Sequence, residues 1–276
     1  MATLVFFHAH PDDEALLTSG TMARASAEGH RVVLVVATNG ELGQAASQYT
    51  AGGKLADHRR SEVLRSARAL GTSRVEFLGY LDSGHGPEKL PNPATGVRFA
   101  NADVEQAAAQ LADILIEERA DVLTTYDPAG GYGHRDHVQV HHVGARAAAV
   151  AGTPTVLEAT VDRNLLLTGI DVAAMFYRFP PEFDRTNFER AYTAREEITH
   201  RINVKKYVIP KRVAFRAHAS QASADDGDRT LGMLLKMPRI MFKHVLGYEW
   251  FREVGHQRQP GQKVLTEILQ SFGSAQ

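Results

Sequence analysis

Leu4-Val5-Phe6-Phe7-His8-Ala9-His10-Pro11-Asp12-Asp13-Glu14 is the stretch on which the reading of this chain turns. Four apolar residues of strand length run directly into two histidines, a proline and three consecutive acids. An alanine-rich stretch of helical character, Glu14 to Glu28, follows and closes at Gly29. Good helix formers that end at a residue suited to the left-handed C-terminal turn make this a strand–turn–helix unit. A lone Asp at such a junction is ordinarily a helix cap, with Pro11 in the turn before it. Three acids packed together repel one another unless a cation or strong donors compensate, and two histidines stand beside them.

Outward from this unit the same alternation repeats. Val32 to Ala37 reads as a second strand, His58 to Leu70 as a helix closed by Gly71, and Val75 to Leu78 as a third strand. Ala102 to Arg119 is helical, with Ala107, Leu111, Ile114 and Leu115 along one face, and Asp121 to Thr125 is a fourth strand. His137 to Val150 is a further helix and Thr155 to Val161 a fifth strand. Strand-length apolar runs alternating with helical periods predict an α/β fold: a doubly wound, mostly parallel, Rossmann-like sheet. We place this core at residues 1–165 and expect residues 166–276 to be a mainly helical C-terminal part that packs on the core and shapes the substrate pocket. In that second part, Phe179 to Phe183 with its paired prolines reads as a connector, and Val204 to Val208 as a late strand.

The 276 residues are 43% hydrophobic, enough for one large buried core. Lys and Arg number 31 against 32 acids, so no overall field steers the chain towards nucleic acid or an anionic membrane, and a small, largely neutral substrate suits it better. There is no cysteine, which excludes disulfides, thiolate ligands and a thiol nucleophile. Any metal must then be held by His, Asp or Glu. The N-terminus lacks a basic leader, and no apolar run approaches the roughly 20 residues that span a bilayer. The expectation is a cytoplasmic protein with no membrane span.

A second informative segment, Asp127-Pro128-Ala129-Gly130-Gly131-Tyr132-Gly133-His134-Arg135-Asp136-His137, follows the fourth strand. Its three glycines imply a loop whose backbone approaches something closely. Ligands in open α/β sheets bind at the carboxyl ends of the strands, and in a sheet of order 3-2-1-4-5 strands one and four are neighbours where the connections diverge. Two segments more than a hundred residues apart would therefore meet in one crevice. Taken singly, Asp136 caps the next helix and His134 is a solvated loop residue.

With both segments in view, the chain resembles the PIG-L-type (LmbE-like) N-acetylglucosaminyl deacetylases, whose hallmark is His-Pro-Asp-Asp-Glu after the first strand and His-x-x-His late in the sheet. Here these are His10 to Glu14 and His134 to His137. Glu-Glu-Ile-Thr at 196–199 and His-Ala-Ser-Gln at 218–221 bring it nearest in motif to the mycothiol-pathway deacetylases and amidases. The resemblance implies that His10, Asp13 and His137 bind a metal, with a fourth position for water. Two imidazoles and a carboxylate with an open site suit catalytic zinc. Ferrous iron is a fair competitor, whereas calcium and magnesium are poor partners for imidazole.

The resemblance further implies Asp12 as general base and a protonated His134, oriented by Asp136, as the stabiliser of the developing oxyanion and a proton donor to the leaving amine. Tyr132 either adds a hydroxyl donor or packs beside the glycines. Glu14 is expected to orient a neighbouring ligand rather than react. Arg59 aligns with an arginine that contacts the sugar or its aglycone, a surface salt bridge being the alternative. Asp82 would accept from sugar hydroxyls or simply serve a turn. His8 reads as packing or as support to a ligand, His141 and His142 as structural or solvated, and His218 and Gln221 as mostly architectural.

The resulting reading is a zinc hydrolase that removes acetyl from an N-acetylglucosamine-containing small molecule. The alternatives are an amidase acting on a mycothiol-type thiol conjugate and a nucleotide- or sugar-binding module with a structural metal. Against the module stands the lack of Gly-x-Gly-x-x-Gly after strand one. Leu231 to Phe251, interrupted by Pro238 and Gly247, reads as two short helices covering the core or rimming the pocket. A homo-oligomer contact and a membrane-surface helix are its other readings, the latter weakened because the basic polar face is incomplete.

Overall fold

A computed structural model describes residues 1–43, 45–50, 54–86, 88–175, 178, 183–224, 227–228 and 230–272. The first half runs β1 (Thr3–His8), α1 (Asp13–Leu17), α2 (Ser19–Ala27), β2 (Arg31–Thr38), α3 (Ser47–Thr50), α4 (Leu55–Leu70), β3 (Arg74–Tyr80), α5 (Val104–Glu118) and β4 (Val122–Tyr126). The second runs α6 (Gly130–Gly133), α7 (Arg135–Ala151), β5 (Thr155–Thr160), α8 (Arg163–Ala174), β6 (His200–Asn203), α9 (Val208–Ala217), α10 (Ala219–Ala222), β7 (Ser223–Ala224), β8 (Gly227–Asp228), α11 (Thr230–Lys236), α12 (Arg239–Val245) and β9 (Tyr248–Glu253). Of the connector expected at Phe179 to Phe183, residues 179–182 lie outside the described residues.

Seven strands form one sheet in the order β3-β2-β1-β4-β5-β9-β6, with helices on both faces, while β7 and β8 make a separate small hairpin. The first five strands are parallel and follow the expected order. Strands β1, β2 and β4 are almost wholly buried, as near-continuous apolar runs must be when helices cover both faces. On one side α5 packs with α7, and on the other α2 and α4 pack with α9.

Three expectations need correction. The first helix is two, because the chain breaks at Thr18, whose hydroxyl bonds the His8 ring 2.8 Å away. Val204 to Val208 is not a strand: β6 ends one residue earlier, where the Asn203 side chain accepts the Lys205 N–H (3.1 Å) in a turn. Val204 instead plugs the core against Gly20, where a Cβ would sit 2.6 Å from it. Leu231 to Phe251 does contain two short helices divided at Pro238, but it ends in β9, which pairs antiparallel with β5 and β6.

Candidate metal centre

β1 and β4 are adjacent and in register, Phe6 opposite Thr124, so the turn after His8 and the loop after Tyr126 rise side by side at the carboxyl edge of the sheet. His10 lies in the first and His137 on the opening turn of α7 above the second. Asp13 begins α1, where a carboxylate suits the positive end of the helix.

The Asp13 Oδ2 atom stands 3.3 Å from His10 Nδ1 and 3.4 Å from His137 Nε2. A tetrahedral zinc with bonds of about 2.0–2.2 Å holds neighbouring ligand atoms about 3.3–3.6 Å apart, so both distances have the length of a coordination edge. His137 Nε2 is buried and makes no hydrogen bond among the described residues. An orphaned imidazole nitrogen beside a carboxylate is the environment a cation completes. Burial disfavours the charged forms, but carboxylates of Asp13, Asp136 and Asp82 outweigh it and hold His10 well above the ordinary imidazole range. Asp13, likewise opposed by burial, is held well below the carboxylate range by His137 and His10. Among the described residues, His10, His134 and His137 also form a group whose ligand atoms lie within 4.8 Å of one another, as do His10, Asp82, His134 and Asp136.

Asp12 sits between these groups with φ 109°, a strained value for a residue with a Cβ. Glu14 pins it there, since its Oε2 accepts the Asp12 N–H at 3.2 Å. The other oxygen of this fully buried carboxylate accepts from Ser66 Oγ and His218 Nε2, both at 2.6 Å. Burial and the neighbouring Asp13 push Asp12 up to about 7, against the pull of His218, Arg59 and His10. Beside this turn, Gly84, His85, Tyr132, Gly133 and His134 line a depression of about 210 Å³.

The GlcNAc-PI de-N-acetylase (PIG-L) family matches residues 5–148, more than half of the chain. This chain belongs to the PIG-L family. It is 38% identical over 245 residues to the 1D-myo-inositol 2-acetamido-2-deoxy-alpha-D-glucopyranoside deacetylase of Streptomyces griseus subsp. griseus, covering 80% of this chain and 75% of that one. A deacetylase of the same name from a Nocardioides species is 34% identical, with 94% and 95% covered. Among solved structures, the N,N'-diacetylchitobiose deacetylase from Pyrococcus horikoshii superposes with a TM-score of 0.59 at 23% identity, over 91% of this chain and 83% of that one. At that identity the likeness speaks for the PIG-L fold. The fold alone does not fix the chemistry, since the 4-carboxy-2-hydroxymuconate hydratase GalB superposes with a TM-score of 0.57 at 17% identity, over 94% of this chain and 98% of that one.

Within this PIG-L site, the Asp136 carboxylate does not orient His134 as anticipated. Its carboxylate accepts from His10 Nε2 (3.0 Å), Ser83 N–H (2.9 Å) and Ser83 Oγ (2.5 Å). His134 is instead the cap of α7, its Nδ1 accepting the Asp136 backbone N–H at 3.2 Å. That bond fixes the neutral tautomer with its proton on Nε2, a buried atom with no partner among the described residues. Burial and the adjacent histidines His10 and His137 press His134 down to about 3. The anticipated imidazolium therefore becomes a neutral N–H donor.

Arg59 is no surface salt bridge. It is 2% exposed, reaches the Gly40 carbonyl, and lies so close to Gly43 that a Cβ there would strike its guanidinium. Asp82 serves a turn, accepting the Gly84 N–H at 2.8 Å, and stands 3.7 Å from His10. Tyr132 is half exposed at the mouth, with its ring edge-on to His137 at 5.1 Å. Two of the three glycines of the second segment approach protein, a Cβ on Gly130 lying 2.6 Å from the Val138 nitrogen and one on Gly131 3.0 Å from Tyr192, while Gly133 lines the depression with open space beside it. Asp127 holds that loop by accepting the Gly131 N–H at 3.0 Å and the Thr160 hydroxyl at 2.8 Å. Sequence reading missed Ser83 and His85, and it gave His218 no share in the site although Glu14 joins it to the Asp12 turn. His8 is structural as read, bonded to Tyr126 and Thr18 and lowered to about 4 by burial.

Proposed function

We propose that this protein is a metal-dependent deacetylase that hydrolyses the N-acetyl group of an N-acetylglucosamine-containing substrate, with an inositol glucosaminide as the first candidate. The observation that carries the reading is the meeting of His10, Asp13 and His137 at coordination-edge distances beside Asp12. The names of its relatives support the substrate class. His10, Asp13 and His137 would hold the ion. Asp13 is preferred to His134 as third ligand because its oxygen already bridges the other two and its charge offsets that of a dication. A bound zinc would acidify water towards neutrality and polarise the acetyl carbonyl, and ferrous iron is the competitor.

Asp12 takes the proton of the attacking water and returns it to the departing amine. His134 donates its Nε2–H to the acetyl oxygen as charge grows there, and Tyr132, at the mouth beside it, adds its hydroxyl. Its Nδ1 is occupied by a backbone N–H, so His134 has no site for a second proton while that bond lasts. Asp136, fixed by Ser83, orients His10. Arg59 and Asp82 are read as the groups that place the sugar, and residues 166–276 as the part that shapes the pocket around it, a reading supported by Tyr192, which packs behind Gly131.

The test is a panel of N-acetylglucosaminides incubated with the zinc-loaded protein while released acetate is followed, with an acyl-cysteine amide in parallel. Acetate release that disappears in Asp12→Ala while metal content stays at one ion per chain is the expected outcome. Cleavage of the acyl-cysteine amide alone would replace this reading with that of a thiol-conjugate amidase.

A further inference from the structure

The near balance of 31 basic and 32 acidic residues conceals a segregation. Between Ile198 and Tyr248 the chain carries ten Lys or Arg and only three Asp, and none of those acids falls in α9, α11 or α12. Lys211 is consumed internally by Glu249, 2.6 Å away.

The fold gathers three of them. Ile209, Arg212, Val213 and Arg216 share one face of α9 by their i, i+3, i+4, i+7 spacing. α12 is anchored across α9 by Phe242, whose ring meets Phe215 edge-on at 5.4 Å. Arg212, Arg216 and Arg239, with Val208 and Ile209, line a cleft of about 200 Å³ remote in sequence from the metal ligands. Arg212 donates from Nη2 to the Leu235 carbonyl at 2.6 Å, while its Nε and Nη1 are buried without a hydrogen-bond partner among the described residues. None of the three arginines makes an ion pair among the described residues. Burial, then Arg216 and Arg239, pull Arg212 below the ordinary guanidinium range. Like charges collected around buried, unsatisfied donors are costly until an anion joins them, and the guanidinium fork fits phosphate best.

The surroundings identify what carries the phosphate. Ile240 is 75% exposed, Ile209 56%, Met241 50% and Val245 45%, aliphatic side chains interleaved with the cations. A freely dissolved phosphate has no use for such a rim. A second copy of this chain would bring the same cations against themselves across a two-fold axis. Nucleic acid would look for exposed aromatic faces between the cations, and α9 and α12 present none among the described residues. Basic groups alternating with exposed aliphatic ones suit the headgroup and acyl boundary of a bilayer.

We propose that α9 and α12 form a peripheral docking surface for an anionic phospholipid bilayer, with the Arg212–Arg216–Arg239 cleft receiving lipid phosphate and Ile240 and Met241 entering the acyl boundary. The basic face that Leu231 to Phe251 lacks on its own is supplied by α9. The protein would lie on such a surface and not cross it, since no described helix is long and apolar enough to span a membrane.

Co-sedimentation of the full-length protein with vesicles of phosphatidylcholine, with and without phosphatidylglycerol, tests this directly. Binding should require the anionic lipid and weaken as salt is raised. Arg216→Gln and Arg239→Gln should each lower the partition coefficient about fivefold, and Ile240→Asp should lower it further, with the thermal midpoint unchanged because all three side chains are exposed. Equal binding to both vesicle types would overturn the proposal. So would inorganic phosphate saturating the cleft without any vesicle binding, or self-association through this face.

Discussion

Glu14 holds the conformation of Asp12, the proposed general base, from a fully buried position. Its carboxylate holds the peptide of Asp12 at a positive φ and is itself held by Ser66 and His218, with Glu14 and His218 both fully buried. Breaking a buried ion pair from one side leaves an uncompensated charge, so Glu14→Ala should cost about 3–5 kcal/mol of stability. His218→Ala should cost a similar amount, and the double variant clearly less than the sum in urea unfolding; additive losses would show that the two do not act as a pair. His134→Ala makes a separate prediction. Losing the N–H proposed to meet the acetyl oxygen should cut kcat about 10²–10³-fold with metal content unchanged, measured by acetate release and elemental analysis. His10, Asp13 and His137 stood out in the sequence as candidate ligands because two dense polar motifs stand at strand ends. Ser83 was not, because a serine after a strand carries no signature until Asp136 is seen to lean on it.

At the scale of elements, one ion-pair cluster ties β2, β3 and α5 together. Arg31 Nη2 and Arg74 Nη1 each reach Glu118 Oε1 at 2.9 Å. Hydrogen bonding to Arg31, then to Arg74, holds Glu118 down at about 2, against burial. A carboxylate depressed on folding contributes stability above its unfolded value of about 4.5 and loses it as pH falls towards 2. Arg31 is 39% exposed and screened by water, so the contribution is only about 1–2 kcal/mol. The gap in urea midpoint between the wild-type protein and Glu118→Gln should be constant at neutral pH and close between pH 4.5 and 2. A gap that persists unchanged at pH 2 would remove Glu118 from that role.

The parallel half of the sheet was readable because β1, β2 and β4 are plain apolar runs. β9 was not, because its inward-facing residues are Glu249, Phe251 and Glu253, and two buried glutamates mask the alternation. Only the tertiary partners explain them: Lys211 and the Gly20 and Thr21 N–H groups for Glu249, and the Ser271 hydroxyl and Phe272 N–H for Glu253.

Over the whole molecule, the proposed ligands join a turn at residue 10 to a helix at residue 137, and the apolar core beneath them is continuous without any ion. The metal should therefore act on stability by mass action and not be needed for folding. The chelated protein should show a cooperative thermal transition, and added zinc should raise it by an amount that grows with the logarithm of free zinc, about 4 kcal/mol at a thousandfold excess over Kd. His137→Ala removes the orphaned nitrogen, so its transition should sit close to that of the chelated wild-type protein and barely respond to zinc. His141→Ala, four residues further along α7, faces the Tyr126 carbonyl and Glu158 and should keep the full zinc response. An equal zinc shift in His137→Ala would place the ion elsewhere, with the His10, Asp82, His134 and Asp136 group as the next site to examine. Because the readout is unfolding, it separates an error in the ligand set from an error in the substrate.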